Sequence, residues 1–418
     1  MSGKVHIIGA GLAGLTAAVR LSAENVAVDV YEAAPVAGGR CRTFHDPRLD
    51  RDVDNGNHLI LSGNHAVLEY ARVTGGAEHL QTAPTANFQF VDIFSDERWA
   101  VELDDGPFPT WVLREEKRIP GTRLTDYFDA VRLALAGASA TVAQAVRPRG
   151  MLWTRFWQPL SWAVLNTTPE RGAARLLRRA MSETFLRGGR FCRPIFAPNG
   201  LGKALVDPAV QTLGAKGVGL EFGHALSHVE TTAGRIVCLR FTNRRTVDVG
   251  PNDRVILALP PTRLKAVLPW MKTPRDDASV LNVHFLVPGG ALTDKPSMIG
   301  LINATSHWAF TRGDVLSLTV SAADRLGVMN REPSDLLPEL WREASAALGL
   351  GDITYTAARI NKERRATMDQ SPEQVALRPK PRTAIRNLFL AGDATDTKLP
   401  ATLEGAVRSG LTAARLAA

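Results

Sequence analysis

The sequence predicts an α/β chain built on a βαβ nucleotide-binding unit, and three observations carry that expectation. An apolar run, Val5-His6-Ile7-Ile8, leads straight into Gly9-Ala10-Gly11-Leu12-Ala13-Gly14. A second apolar run, Val26 to Tyr31, closes on an acid, Glu32, 21 residues after Gly11. Near the other end, Asn387-Leu388-Phe389-Leu390-Ala391-Gly392-Asp393 is again an apolar strand that stops at a glycine and a carboxylate.

In chain order, the first strand is short and apolar throughout, as a strand covered on both faces must be. Gly9 permits the tight turn off that strand. Gly11 has no Cβ to hold a pyrophosphate away from the backbone, and Gly14 lets the helix predicted over Leu15 to Ala23 pack close to the sheet. That helix turns free N–H groups and a partial positive charge toward the phosphates. Glu32 can accept hydrogen bonds from both ribose hydroxyls and would repel a 2′-phosphate. These residues bind the ADP half of a dinucleotide, but they would serve NAD or FAD equally.

Two further features select FAD. Gly38-Gly39-Arg40 lets the chain pass close to a ligand and offers a guanidinium to the pyrophosphate, with Arg42 nearby. The carboxylate of Asp393, beside Gly392, suits a ribityl or phosphate-adjacent hydroxyl. The helix that follows, Leu403 to Leu416, would aim its N-terminus at the flavin pyrimidine ring and stabilise the negative charge of the reduced form.

Composition sets outer limits. With 418 residues the chain can hold two domains, and its 45% hydrophobic and 22% charged residues are ordinary for a globular protein. Cys41, Cys192 and Cys238 form no CxxC pair, so a disulfide framework or zinc site is not expected and a reducing, cytoplasmic setting fits. The net charge of +8 is spread along the chain without an aromatic-rich single-strand motif, which argues against nucleic acid. It admits a bias toward phosphates or anionic membrane surfaces, and thus peripheral contact at the inner membrane surface. No secretory leader and no run of 18 apolar residues is present. HExxH, Walker A and GxSxG are absent, as is a second GxGxxG, so electrons would come from NAD(P)H binding transiently or from an external reductant.

Together, Gly9 to Gly14, Glu32, Gly38-Gly39-Arg40 and Leu390-Ala391-Gly392-Asp393 resemble the flavin amine oxidase and phytoene desaturase superfamily. The resemblance spans nearly the whole chain. It implies a Rossmann-type FAD domain (residues 1–75, 195–262 and 370–418) interleaved with a mixed α+β substrate domain (76–194 and 263–369). In that map Pro198-Asn199-Gly200-Leu201 opens a helix running to Leu213, Val218 to Phe222 is a strand, and Val229 is the position whose backbone meets the adenine.

Asp54-Asn55-Gly56-Asn57-His58 narrows the resemblance. It is similar to the Asp-Asn-Gly-Gln-His segment of the squalene-associated FAD-dependent desaturases, or hydroxysqualene dehydroxylases, with Asn57 in place of glutamine. Phe156 to Leu160, Leu165-Asn166-Thr167 and Leu399 to Val407 point to the same group. The resemblance implies reductive removal of a hydroxyl from hydroxysqualene, a long isoprenoid, to give squalene on the route to hopanoids. It also implies a flavin contact for Asn57. The alternative is the same flavin used oxidatively, by a carotenoid-type desaturase or an amine oxidase. A carrier without catalysis is the remaining class, and intact Glu32, Arg40 and Asp393 speak against it.

Hydroxide leaves a carbon only when protonated, so an acid is required. His58 is the first candidate for it, and hydrogen bonding to backbone or flavin is the competing role. Asp54 would orient His58 or hold a turn. Glu404 resembles a glutamate common to these flavoproteins and suits a structural or cofactor role. The aromatic cluster Met151 to Trp162, with Trp153 and Trp157 on one helix face, is core, tunnel wall or membrane contact, the last favoured by Arg147, Arg149 and Arg155. Trp308, after the strand-like Ser297 to Leu301, would form the opposite tunnel wall, and Asn282 to Val287 a strand of the same substrate sheet.

Overall fold

A computed structural model describes residues 3–418. The nucleotide-binding unit is a five-stranded parallel sheet in the order Gly219–Glu221, Val28–Tyr31, Val5–Ile8, Arg254–Leu257 and Leu388–Leu390. The chain thus returns to one sheet from three widely separated regions. Alternation along the central strand explains its two covers. Val5 and Ile7 face the helices Leu12–Ala23 and Leu403–Ala417, whereas Ile8 faces an antiparallel sheet of Leu226–Thr232, Arg235–Phe241 and Thr246–Asp248. The two helices approach closely because Gly410 sits over Ala13, where a Cβ would lie 2.3 Å from the Ala13 carbonyl oxygen.

The second unit is a seven-stranded mixed sheet in the order Ala357–Thr367, Ala278–Leu286, Val315–Ser321, Trp308–Arg312, Met298–Ile302, Asn87–Asp92 and Arg98–Glu102. Its residues sort by the period of two. Leu281, Val283, Phe285, Leu316 and Leu318 pack on the helix Pro333–Leu348. Val280, Asn282, Thr319, Ser321, Trp308 and Phe310 point the other way, into a cavity roofed by helices from residues 151–183.

Two expectations are adjusted. The helix read from Pro198 to Leu213 is two helices, Leu201–Leu205 and Asp207–Ala215. Pro208, in the first turn of the second, cannot donate a backbone N–H and would crowd the Ala204 carbonyl in one continuous helix. The aromatic segment is also irregular: Trp153–Trp157 is π-helical before Gln158–Leu165 becomes α-helical. Among the described residues, no helix is long and apolar enough to cross a membrane, and no cluster of side chains could hold a metal ion.

Candidate active site

The phosphate loop matches its predicted geometry glycine by glycine. Gly9 has φ +103°, and a Cβ there would sit 2.6 Å from the Ala258 carbonyl oxygen. A Cβ on Gly14 would lie 1.9 Å from the Gly9 carbonyl oxygen, so the helix start packs directly on the turn. Gly11 differs: a Cβ there would meet no protein atom within 4 Å. It faces an open cavity of about 490 Å³, lined also by Glu32, Gly39, Arg40, Gly392, Asp393 and Leu403. The helix behind Gly11 begins without a side-chain cap or an acid in its first turn, which leaves its amides for an anion. Gly38 hydrogen-bonds Ala10 at 2.8 Å and lays the Gly38-Gly39 turn alongside this loop.

Glu32 is fixed at the rim of this cavity. One of its carboxylate oxygens accepts from the Ala10 amide at 2.7 Å and the other from the Ala34 amide at 2.8 Å. Each oxygen retains a lone pair for a ribose hydroxyl. Arg40 and Asp393, read separately from sequence, meet in a two-pronged ion pair at 2.9 and 3.0 Å, and Arg40 also donates to the Ala366 carbonyl at 2.6 Å. Desolvation alone would raise the pKa of Asp393. The Arg40 charge, its hydrogen bonds and the nearby Arg378 outweigh that and hold the carboxyl below its ordinary value. Arg378, which the sequence analysis missed, is buried beneath the loop and donates to the carbonyls of Asp393 and Leu399 at 2.7 and 2.6 Å. Burial lowers its pKa to about 10. Its setting in Arg378-Pro379-Lys380-Pro381 carries no sequence signal of that role.

Leu403 opens the last helix with Thr402 as its N-cap, and it lines both this cavity and a second one. Val229 packs its side chain into the core, in register with Leu239 in an antiparallel ladder, and His224, Ala225 and Leu226, leading into that strand, line the cavity.

The second cavity, about 330 Å³, is mainly apolar: Phe88, Phe90, Phe156, Leu160, Trp308 and Phe310 are among its walls. It joins the first at Arg40, His58, Glu363, Ala366, Thr367 and Ala401 to Leu403, which line both. Trp308 stands where expected. Trp153 and Trp157 do not: both are buried in the helical core, 7% and 1% exposed, because their shared face turns away from the cavity. Phe156, Pro159 and Leu160 of the same segment line it instead. Arg155 is also buried, held by Glu97 and the Pro120 carbonyl, so it is not a membrane contact.

The segment Asp54 to His58 is brought to the junction, with altered roles. Asp54 does not orient His58. It accepts from Thr43, from the Leu201 amide at 3.0 Å and from Arg312 at 2.8 Å, which ties the hairpin Thr43–Asp46 and Arg51–Asp54 to its neighbours. Asn57 turns from the dinucleotide cavity toward the apolar one, where it donates to Thr319 at 3.0 Å. Thr319 in turn donates to Asn282 at 2.9 Å, which forms a polar patch on an apolar wall. His58 opens only onto the joined cavities. Its Nδ1 lies 2.8 Å from the Gly56 carbonyl, and desolvation lowers its pKa. Glu404 accepts from the amides of Ala66 and Val67 at 3.1 and 3.0 Å and from Arg408 at 2.7 Å, which pins two helices together.

The chain matches the family model for flavin-containing amine oxidoreductases over residues 12–418. It is 42% identical to a hydroxysqualene dehydroxylase of Rhodopseudomonas palustris over the whole of this chain and 98% of the relative. It is 44% identical to one from Sinorhizobium fredii, covering 100% and 99%. Its fold is similar to that of a solved putrescine oxidase variant, with TM-score 0.71 at 15% identity over 99% and 98% of the two chains. An open cleft at Gly11, an acid at its rim and an Arg40–Asp393 pair at its far end fit the bound cofactor of such enzymes. The protein is an FAD-dependent oxidoreductase of the flavin-containing amine oxidoreductase family, in the branch whose relatives bear the name hydroxysqualene dehydroxylase.

Proposed function

We propose that this enzyme removes the hydroxyl group of hydroxysqualene reductively and releases squalene for hopanoid or other triterpenoid synthesis. The observation that carries the reading is a mainly apolar cavity, with a polar patch at Asn57, Asn282 and Thr319, open to the flavin cleft along a single junction. Full-length identity with relatives of that name supports the choice of substrate. Residues 1–75, 195–262 and 370–418 would hold the cofactor, and 76–194 and 263–369 the substrate.

Gly9, Gly11 and Gly39 would seat the pyrophosphate and Glu32 the ribose, with Arg40, Asp393 and the start of the last helix at the flavin end. Reduced flavin, supplied with electrons by NAD(P)H or a separate reductant, provides two electrons and a hydrogen. The chain does the rest. Phe88, Phe90, Phe156 and Trp308 exclude water and align an isoprenoid, and Asn57, Thr319 and Asn282 offer an amide and hydroxyl cluster for the departing hydroxyl. Purified protein incubated with hydroxysqualene and chemically reduced FAD should form squalene. No squalene, with desaturation of another polyene under oxidising conditions, would replace this reading with the oxidative one.

Peripheral membrane contact belongs to the same reading, through a region other than Trp153 to Trp162. Phe108, Leu113, Leu124, Phe128, Val131 and Leu135 are exposed, interspersed with exposed Arg114, Arg123 and Arg132 and with exposed Glu115 and Glu116. The exposed apolar side chains suit a lipid surface that holds the substrate. Phe128→Asp with Leu135→Asp should reduce co-sedimentation with phosphatidylglycerol-containing vesicles several-fold; unchanged sedimentation would remove this contact.

A further inference from the structure

Five ionisable side chains line the apolar cavity: Arg40, His58, Glu183, Glu363 and Glu404. Four are committed. Arg40 is paired with Asp393. Glu183 receives two hydrogen bonds from Arg408, at 2.9 and 2.7 Å, and an ion pair from Arg179 at 2.6 Å. Glu404 holds Arg408 and two helix amides. His58 has Nδ1 on the Gly56 carbonyl, and desolvation lowers its pKa.

Glu363 is different. It has no cation within ion-pairing distance among the described residues. Its contacts are two long ones, from the Asn55 amide nitrogen at 3.4 Å and the Arg365 backbone amide at 3.3 Å. It lines both cavities, so it stands where the cofactor and substrate spaces meet. The backbone explains the placement. Along Ala357–Thr367, Asn361 pairs with Asn282 and Glu363 with Val280, but the next pairing is Thr367 with Ala278. The extra residues form a bulge just past Glu363, a device that re-aims side chains beside active sites. Glu363 therefore shares the cavity face with Asn282 and, across the sheet, with Thr319, the partner of Asn57.

We propose that Glu363 is the proton donor of the dehydroxylation, acting on a hydroxyl held by Asn57, Asn282 and Thr319. This rests on the dehydroxylase reading above. The carbon–oxygen bond breaks with its electron pair on oxygen. A proton relayed from water through the Glu363 carboxyl passes to that oxygen, and water leaves. Two electrons and one hydrogen from the reduced flavin complete the new carbon–hydrogen bond. The sum is R–OH + H⁺ + H⁻ → R–H + H₂O, and Glu363 regains its proton from water.

The test compares wild type with Glu363→Gln and Glu363→Asp, each loaded with FAD. Glu363→Gln should retain its visible flavin spectrum. It should also bind hydroxysqualene within about threefold of wild type, read by quenching of tryptophan emission from Trp162 and Trp308, while squalene formation falls by ~100-fold or more. Glu363→Asp, which keeps an acid one methylene shorter, should recover at least a tenth of wild-type turnover. Turnover of Glu363→Gln within threefold of wild type would overturn the assignment, as would loss of flavin or substrate binding in step with turnover. Glu363→Asp no more active than Glu363→Gln would also overturn it. A wild-type enzyme that makes no squalene would refute the function instead, so the two failures are distinct.

Discussion

The flavin cleft and the substrate cavity share a wall but are specified in opposite ways. The cleft is built from backbone: five glycines, helix amides and two carboxylates at strand ends, most of them within residues 9–40. The cavity is built from side chains drawn from residues 55–64, 88–101, 156–185, 280–321 and 363–404. A backbone site leaves a local pattern in the sequence because only glycine meets its steric demands. A side-chain site does not, because many apolar residues fill a wall equally well.

That contrast makes its sharpest prediction at two tryptophans. Trp157→Ala removes a fully buried ring and should cost ~3–5 kcal/mol in chemical denaturation, with no selective effect on substrate binding. Trp308→Ala, on a half-buried cavity wall, should cost far less stability and weaken hydroxysqualene binding about tenfold, or ~1.4 kcal/mol. Equal stability losses would mean that the wall and the core are not separate.

A smaller effect tests the cleft. Gly14→Ala drives a methyl into the Gly9 carbonyl and should destabilise the fold by ~1–3 kcal/mol even without cofactor. Gly11→Ala points its methyl into empty space, so apo-protein stability should be unchanged while flavin affinity, followed by retained yellow colour on dialysis, drops about tenfold. A destabilised Gly11→Ala apo-protein would show that the cleft is less open than described.

The legibility of the site follows the same division. Gly9, Gly11, Gly14 and Glu32 were readable because strand, turn and helix follow one another without interruption. Gly392 and Asp393 were readable as a strand end, but their pairing with Arg40 was not, since 353 residues separate the partners. His224 to Leu226 gave no signal, because a position in a hairpin does not state which residue first reaches the cavity. Trp153 and Trp157 stayed open between core and tunnel wall because spacing shows that two side chains share a face without showing what that face meets. Glu363 gave no signal in Asn361-Lys362-Glu363-Arg364-Arg365, where it reads as one more charge on a surface strand.

By itself, then, the sequence determined the parallel sheet, its phosphate loop and the presence of FAD, because these depend on backbone conformation that a few contiguous residues impose. Only the tertiary structure decided which groups face the reacting space. It used Asp54 and Glu404 as struts, paired Arg40 with Asp393, turned Asn57 toward Thr319, and left Glu363 without an ion pair at the junction. The reason is that a carboxylate's role is set by its partners, and those partners come from strands and helices that meet only when the chain folds.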